Sequence, residues 1–84
     1  MSEILFATLG TSHRILKLLE SKKEYGGPQS INDVCKNLNM SNRNTRSVLS
    51  KMYKSGKIDR ISLGIYRIKG DSREYNDNKP YYNQ

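Results

Sequence analysis

This sequence of 84 residues predicts a small α+β domain, mainly α, with three core helices followed by a two-stranded β-hairpin and room for an extra helix at the N-terminus. Three observations lead there. Apolar residues recur at helical spacing in three separate stretches, and each stretch begins at a residue able to cap a helix. Glycine or a turn-tolerant asparagine follows each of them. Beyond Gly56 the pattern changes to two short isoleucine-bearing runs on either side of Ser62-Leu63-Gly64, as a hairpin requires.

The elements follow in order. Residues 2–9 carry Ile4, Leu5, Phe6 and Leu9 ahead of Gly10, which suits either a short helix capped by Ser2 or a strand. From Thr11 or Ser12, either able to cap, Ile15, Leu18 and Leu19 form one face of the first core helix, with Leu16 beside them. Gly26-Gly27-Pro28 is expected to stop it. Gln29-Ser30-Ile31 can make one brief strand, after which Asn32 caps a second helix whose inner face is Val34, Cys35 and Leu38. Asn39 takes a sharp turn, since asparagine tolerates positive φ better than most residues. Met40 is an apolar plug, and Ser41 caps a third helix over residues 42–55 with Thr45, Val48, Leu49 and Met52 inward. In the hairpin, a three-residue loop with glycine in the left-handed position pairs Ile58 with Ile68, Arg60 with Tyr66 and Ile61 with Ile65.

These elements divide the chain into an N-terminal extension at 1–10, a domain at 11–69 and a tail at 70–84. The tail has no period and reads as disordered. One domain of this length has a thin core, too small for most buried catalytic clefts. Cys35 is the sole cysteine, so an internal disulfide is excluded. No stretch is apolar enough for a signal peptide or membrane span, which predicts a soluble, cytoplasmic protein. His13 stands without a second ligand at metal spacing, Gly26-Gly27 lacks the lysine and serine of a phosphate loop, and the eight acids are scattered. The expectation is therefore no enzyme activity, no metal, no cofactor and no small-molecule ligand.

Charge supplies the positive signal. The net +7 of the chain is matched by residues 41–69 alone, where Arg43, Arg46, Lys51, Lys54, Lys57, Arg60, Arg67 and Lys69 stand against Asp59. A single-sign patch this dense attracts polyanions, of which nucleic acid is the commonest in a cell. Beneath it, the second and third helices meet the steric demands of a helix-turn-helix: small Cys35 at the crossing, Asn39 in the turn, and Met40, Val48 and Leu49 around the junction.

The run from Ser30 to Ser41 resembles the helix-turn entry of winged helix-turn-helix DNA-binding proteins. The run from Asn44 to Ile58 is similar to their recognition helix and first wing strand, and Gly64-Ile65-Tyr66-Arg67-Ile68 to their returning strand. The resemblance covers residues 11–69. It departs from the usual pattern at Cys35, where alanine is common, at Asn39, where glycine is common, and at Thr45, where valine or isoleucine is common.

The resemblance implies that the third helix enters the major groove of double-stranded DNA while the wing lies on backbone or minor groove. Helical geometry then turns Asn42, Arg43, Arg46, Ser47 and Ser50 outward, with Ser41 and Asn44 at the flank. Arg43 and Arg46 could each fork onto guanine, and Asn42 could pair with adenine. Lys51, Lys54 and Lys57 suit phosphate contacts, and Arg60 and Arg67 belong to the wing, whose tip at Leu63-Gly64 is too short to insert deeply. Specific sites usually combine two half-sites, so a homodimer is expected, paired through Ile4, Leu5, Phe6 and Leu9; the alternative is that this segment folds back on its own core. Transcriptional regulation by operator occupancy is the first expectation. A DNA-structuring or plasmid or viral partition protein of low specificity, and a winged-helix adaptor that binds proteins, are the alternatives.

Overall fold

The computed structural model describes residues 10–82; the apolar segment at Ile4, Leu5, Phe6 and Leu9 lies outside them. Among the described residues three helices and three strands follow in the order α1 (Thr11–Glu20), β1 (Gln29–Ser30), α2 (Ile31–Leu38), α3 (Asn42–Lys54), β2 (Ile58–Ser62) and β3 (Ile65–Ile68). The strands form one antiparallel sheet in the order β1-β3-β2. The hairpin is therefore not a free two-stranded ribbon. The brief strand expected near Gln29 is its third member, pairing Gln29 with Tyr66 and Ser30 with Ile65.

Burial of the helical stripes explains the arrangement. Ile15, Leu18 and Leu19 of α1, Val34 and Leu38 of α2, and Leu49 and Met52 of α3 close on Ile58 and Tyr66 of the sheet. Full burial of such a side chain contributes roughly 1.5–3 kcal/mol relative to exposure. Val48 and Met40 pack against this cluster from its edge and remain half-buried.

Several local expectations are corrected. Gly10, with no side-chain hydrogen bond, occupies the N-cap of α1, so neither Thr11 nor Ser12 caps it. That helix also ends at Glu20, well before Gly26-Gly27-Pro28, because the chain must turn back to feed β1. Ser30, not Asn32, caps α2: its hydroxyl accepts from the Asp33 amide at 3.1 Å while the Asp33 carboxylate accepts from the Ser30 amide at 3.0 Å. This reciprocal box starts α2 directly at the end of β1. Asn39 is left-handed as expected, at φ 54°. Ser41 caps α3 through a 3.1 Å bond from the Asn44 amide, and the Lys57 and Gly56 amides close its other end on the Met52 and Tyr53 carbonyls.

In the hairpin, Ile58 pairs with Ile68 and Arg60 with Tyr66 as expected, but Ser62 and not Ile61 faces Ile65. Ile61 is the extra residue of a β-bulge. The tip shrinks to Leu63-Gly64, and the bulge absorbs the residue that would otherwise have thrown Ile58 out of register. Gly64, at φ 82°, supplies the left-handed residue that so short a tip needs.

The largest departure is the tail. Residues 70–82 contain no helix or strand, yet they are laid along α2 and the end of α1 rather than being the disordered extension the composition suggests. The Arg73 guanidinium donates to the Leu19 and Ser21 carbonyls at 3.1 and 2.7 Å and pairs with Asp71. It thereby satisfies carbonyls at the C-terminus of α1, where a cation is favoured. Gly27 makes this approach feasible: at φ 85° it lies against Arg73, and an added Cβ would stand 3.2 Å from that guanidinium.

Tyr75 and Tyr81 both donate to the Asp33 carboxylate, at 3.0 and 3.1 Å, and the Lys79 ammonium donates to the Gly26 and Pro28 carbonyls. Tyr82 donates its amide to the Asn37 side chain and meets the Tyr25 ring edge-on. Asn37 in turn donates to buried Gln29 at 2.9 Å. Asp33 and Asn37, one turn apart, thus form a polar face of α2 that the tail covers.

Burial raises the phenol pKa of Tyr75 and of Tyr81, and for both the Asp33 carboxylate adds to that rise. A group whose folded pKa is raised contributes stability that is complete below its unfolded value, about 10 for tyrosine, and lost as pH rises through the folded value. The clasp should therefore hold through neutral pH and open above about pH 10. A tyrosinate absorbance titration of the chain and of the Tyr75→Phe, Tyr81→Phe double variant checks this. The difference should titrate above 10; a difference titrating at or below 10 would remove the clasp.

Candidate nucleic-acid interface

Because Thr45, Leu49 and Met52 face the core, Asn42, Arg43, Asn44, Arg46, Ser47, Lys51 and Lys54 are left exposed along α3. Ser50 is half-buried. The hydrogen bonds of the tail go to α1, the turn before β1, and α2, so this face stays uncovered. Its basic residues spread to two flanks. Arg46 and Ser50 border a groove with Ile31, Tyr66 and the tip residues Leu63 and Gly64. Lys51 and Lys57 border a shallower depression with Ser12 at the start of α1.

The turn that aims α3 is held by a short chain of polar contacts. The Cys35 thiol donates to the Thr45 hydroxyl at 3.3 Å, and that hydroxyl donates to the Ser41 carbonyl at 2.8 Å. Cys35 of α2 and Thr45 of α3 therefore touch each other across the turn. A buried hydroxyl at position 45 would be costly if unpaired, and here it both accepts and donates a hydrogen bond.

Several expected roles are constrained by internal partners. The Ser41 hydroxyl is engaged in its cap. Arg46 Nε donates to Asn42 Oδ1 at 2.7 Å. A bidentate grip by Arg46 on guanine would then fall to its two terminal nitrogens, while Asn42 Oδ1 keeps a second lone pair for another donor. Arg43 is exposed one turn away.

On the hairpin, Arg60 is exposed, but half-buried Arg67 pairs with Asp59 across the strands at 3.2 Å. The Arg60 amide and the Arg67 guanidinium together hold the Asp59 carboxyl below the ordinary aspartate range. Arg67 is thus engaged by Asp59, while exposed Arg60 presents its charge outward.

Tyr53 is a contact of this face that sequence reasoning did not single out. It stands on α3 with the Arg60 guanidinium 4.6 Å from its ring centroid, and its ring meets Tyr66 edge-on at 6.3 Å. The stack couples α3 to β2 and fixes the direction of Arg60. No spacing in the sequence announces it, because the contact depends on the angle between helix and hairpin.

Among the described residues, no group of three or more His, Cys, Asp or Glu side chains could hold a metal ion, and no helix is long and apolar enough to cross a membrane. Compared with known protein families, curated proteins and solved structures, the chain matches none.

Proposed function

We propose that this chain binds double-stranded DNA through α3 and the hairpin, acting as a winged helix-turn-helix protein that regulates transcription by occupying its site. The observation that carries the reading is the uncovered cationic face of α3, continued onto the hairpin by Arg60 stacked on Tyr53. The strand order β1-β3-β2 around a helix-turn-helix is compatible with that layout. Arg43 and Arg46 would read bases near the start of α3, and Lys51, Lys54, Lys57 and Arg60 would contact phosphates. Pairing of two copies through Ile4, Leu5, Phe6 and Leu9 remains part of the proposal.

The test is anisotropy of a labelled random-sequence duplex at several salt concentrations, run beside selection from a randomised pool. A steep fall in affinity with salt and an enriched two-fold symmetric site are expected. The same slope without enrichment would replace regulation by DNA coating. Absence of binding at low salt would overturn the reading and leave the adaptor alternative.

Lys54→Ala should weaken specific and random duplexes alike and lower the salt slope by about one ion, as loss of one phosphate contact requires. An unchanged slope would remove Lys54 from the interface.

A further inference from the structure

Leu63 is 91% exposed, by far the most accessible of the large apolar side chains among the described residues. A lone leucine on a surface is ordinary. Its setting distinguishes this one. It sits in a two-residue tip, a narrow connection that carries one side chain forward without bulk beside it, since its neighbour is Gly64.

The tip is also fixed in place. The Ile31 amide donates to the Gly64 carbonyl at 3.2 Å, tying the end of the hairpin to the start of α2. The Ile61 bulge bends and twists β2 just before the tip. Leu63 and Gly64 border the same groove as Arg46 and Ser50 of α3, so the leucine projects on the cationic side of the molecule.

A rigidly held apolar side chain beside a phosphate-binding face has one apolar surface to meet on a duplex, the stacked bases. With α3 in a major groove, an element projecting next to it reaches the backbone and the minor groove beyond. Leucine is among the residues that enter base steps from that groove and kink the helix.

We propose that Leu63 is a wedge that parts one base step in the minor groove, so that this chain bends the DNA it binds. The inference rests on the DNA-binding reading above. It implies a preference for flexible pyrimidine–purine steps at a position beside the bases read by α3, because those steps unstack at least cost. Arg60, exposed on the same hairpin, would contact the phosphate backbone beside that step. The short tip is sufficient, since the side chain alone enters.

The experiment measures end-to-end energy transfer in a doubly labelled duplex of about three helical turns, far shorter than the persistence length and therefore straight when free. Anisotropy of the same duplex reports binding independently. The wild-type chain should raise the transfer on binding. Leu63→Ala should bind with affinity changed by less than about tenfold, fail to raise the transfer, and lose the preference for a pyrimidine–purine step. Because Leu63 is almost fully exposed, circular dichroism of the variant should match that of the wild type. Wild-type binding without a change in transfer, or bending by Leu63→Ala equal to that of the wild type, would overturn the wedge while leaving DNA binding intact. No binding by the wild-type chain would overturn both.

Discussion

Replacing Asp33 by alanine is expected to destabilise the domain by about 2–4 kcal/mol, a large part of the roughly 5–15 kcal/mol that holds a small domain folded. One carboxylate does three things here. It completes the capping box with Ser30, it places negative charge at the positive end of α2, and it accepts from Tyr75 and Tyr81 of the tail. Loss of the cap alone costs about 1 kcal/mol, and hydrogen bonds to a charged group contribute about 1.5–3 kcal/mol each when well sheltered. Both tyrosines are partly exposed, so their bonds count at a discount, which keeps the total near the stated range.

Urea denaturation measures the loss, and limited proteolysis after Arg73 reports the tail. Asp33→Ala should be cut there faster than the wild type under conditions where both remain folded. Tyr75→Phe with Tyr81→Phe should free the tail while leaving the α2 cap in place, at a smaller cost in stability. If Asp33→Ala costs no more than an ordinary cap and the tail remains protected, the tail is held by Arg73 and Lys79 instead.

Arg46→Ala is expected to lower affinity for a selected site by about 1–3 kcal/mol, with much less effect on random duplexes, and to relax preference at one base pair. The reason is geometric. Asn42 holds Nε, so the terminal nitrogens of a planar fork are presented in a fixed direction from the first turns of α3. Arg46→Lys should fail almost as fully, because an ammonium restores charge without the fork. Competition titrations of each variant against selected and random duplexes check this. Equal losses on both would make Arg46 a phosphate contact.

The core elements were legible because local chemistry and periodicity agree. Ser41 reads as a helix cap, and α3 begins where it caps; Asn39 is the residue that tolerates the turn, and it is left-handed. The hairpin register was readable to within one residue, because moving Ile58 off Ile68 would mix core with solvent. The bulge at Ile61 was not, since a two-residue tip with a bulge and a three-residue loop satisfy the same apolar pattern.

The sequence by itself determined the helical stripes, the hairpin and the concentration of charge in residues 41–69, for these follow from residue order, spacing and formal charge. Tertiary structure decided everything that depends on two distant segments meeting. Asp33 and Asn37 read as solvent-facing polar residues until the tail covers them. Tyr53 is an unremarkable helical aromatic until Arg60 crosses it, and Arg67 is a free cation until Asp59 stands opposite. A polar side chain carries no mark of its partner in its own neighbourhood of the sequence. Packing of the apolar stripes brings those partners together, and a buried polar group is kept only where that packing also supplies its hydrogen bonds.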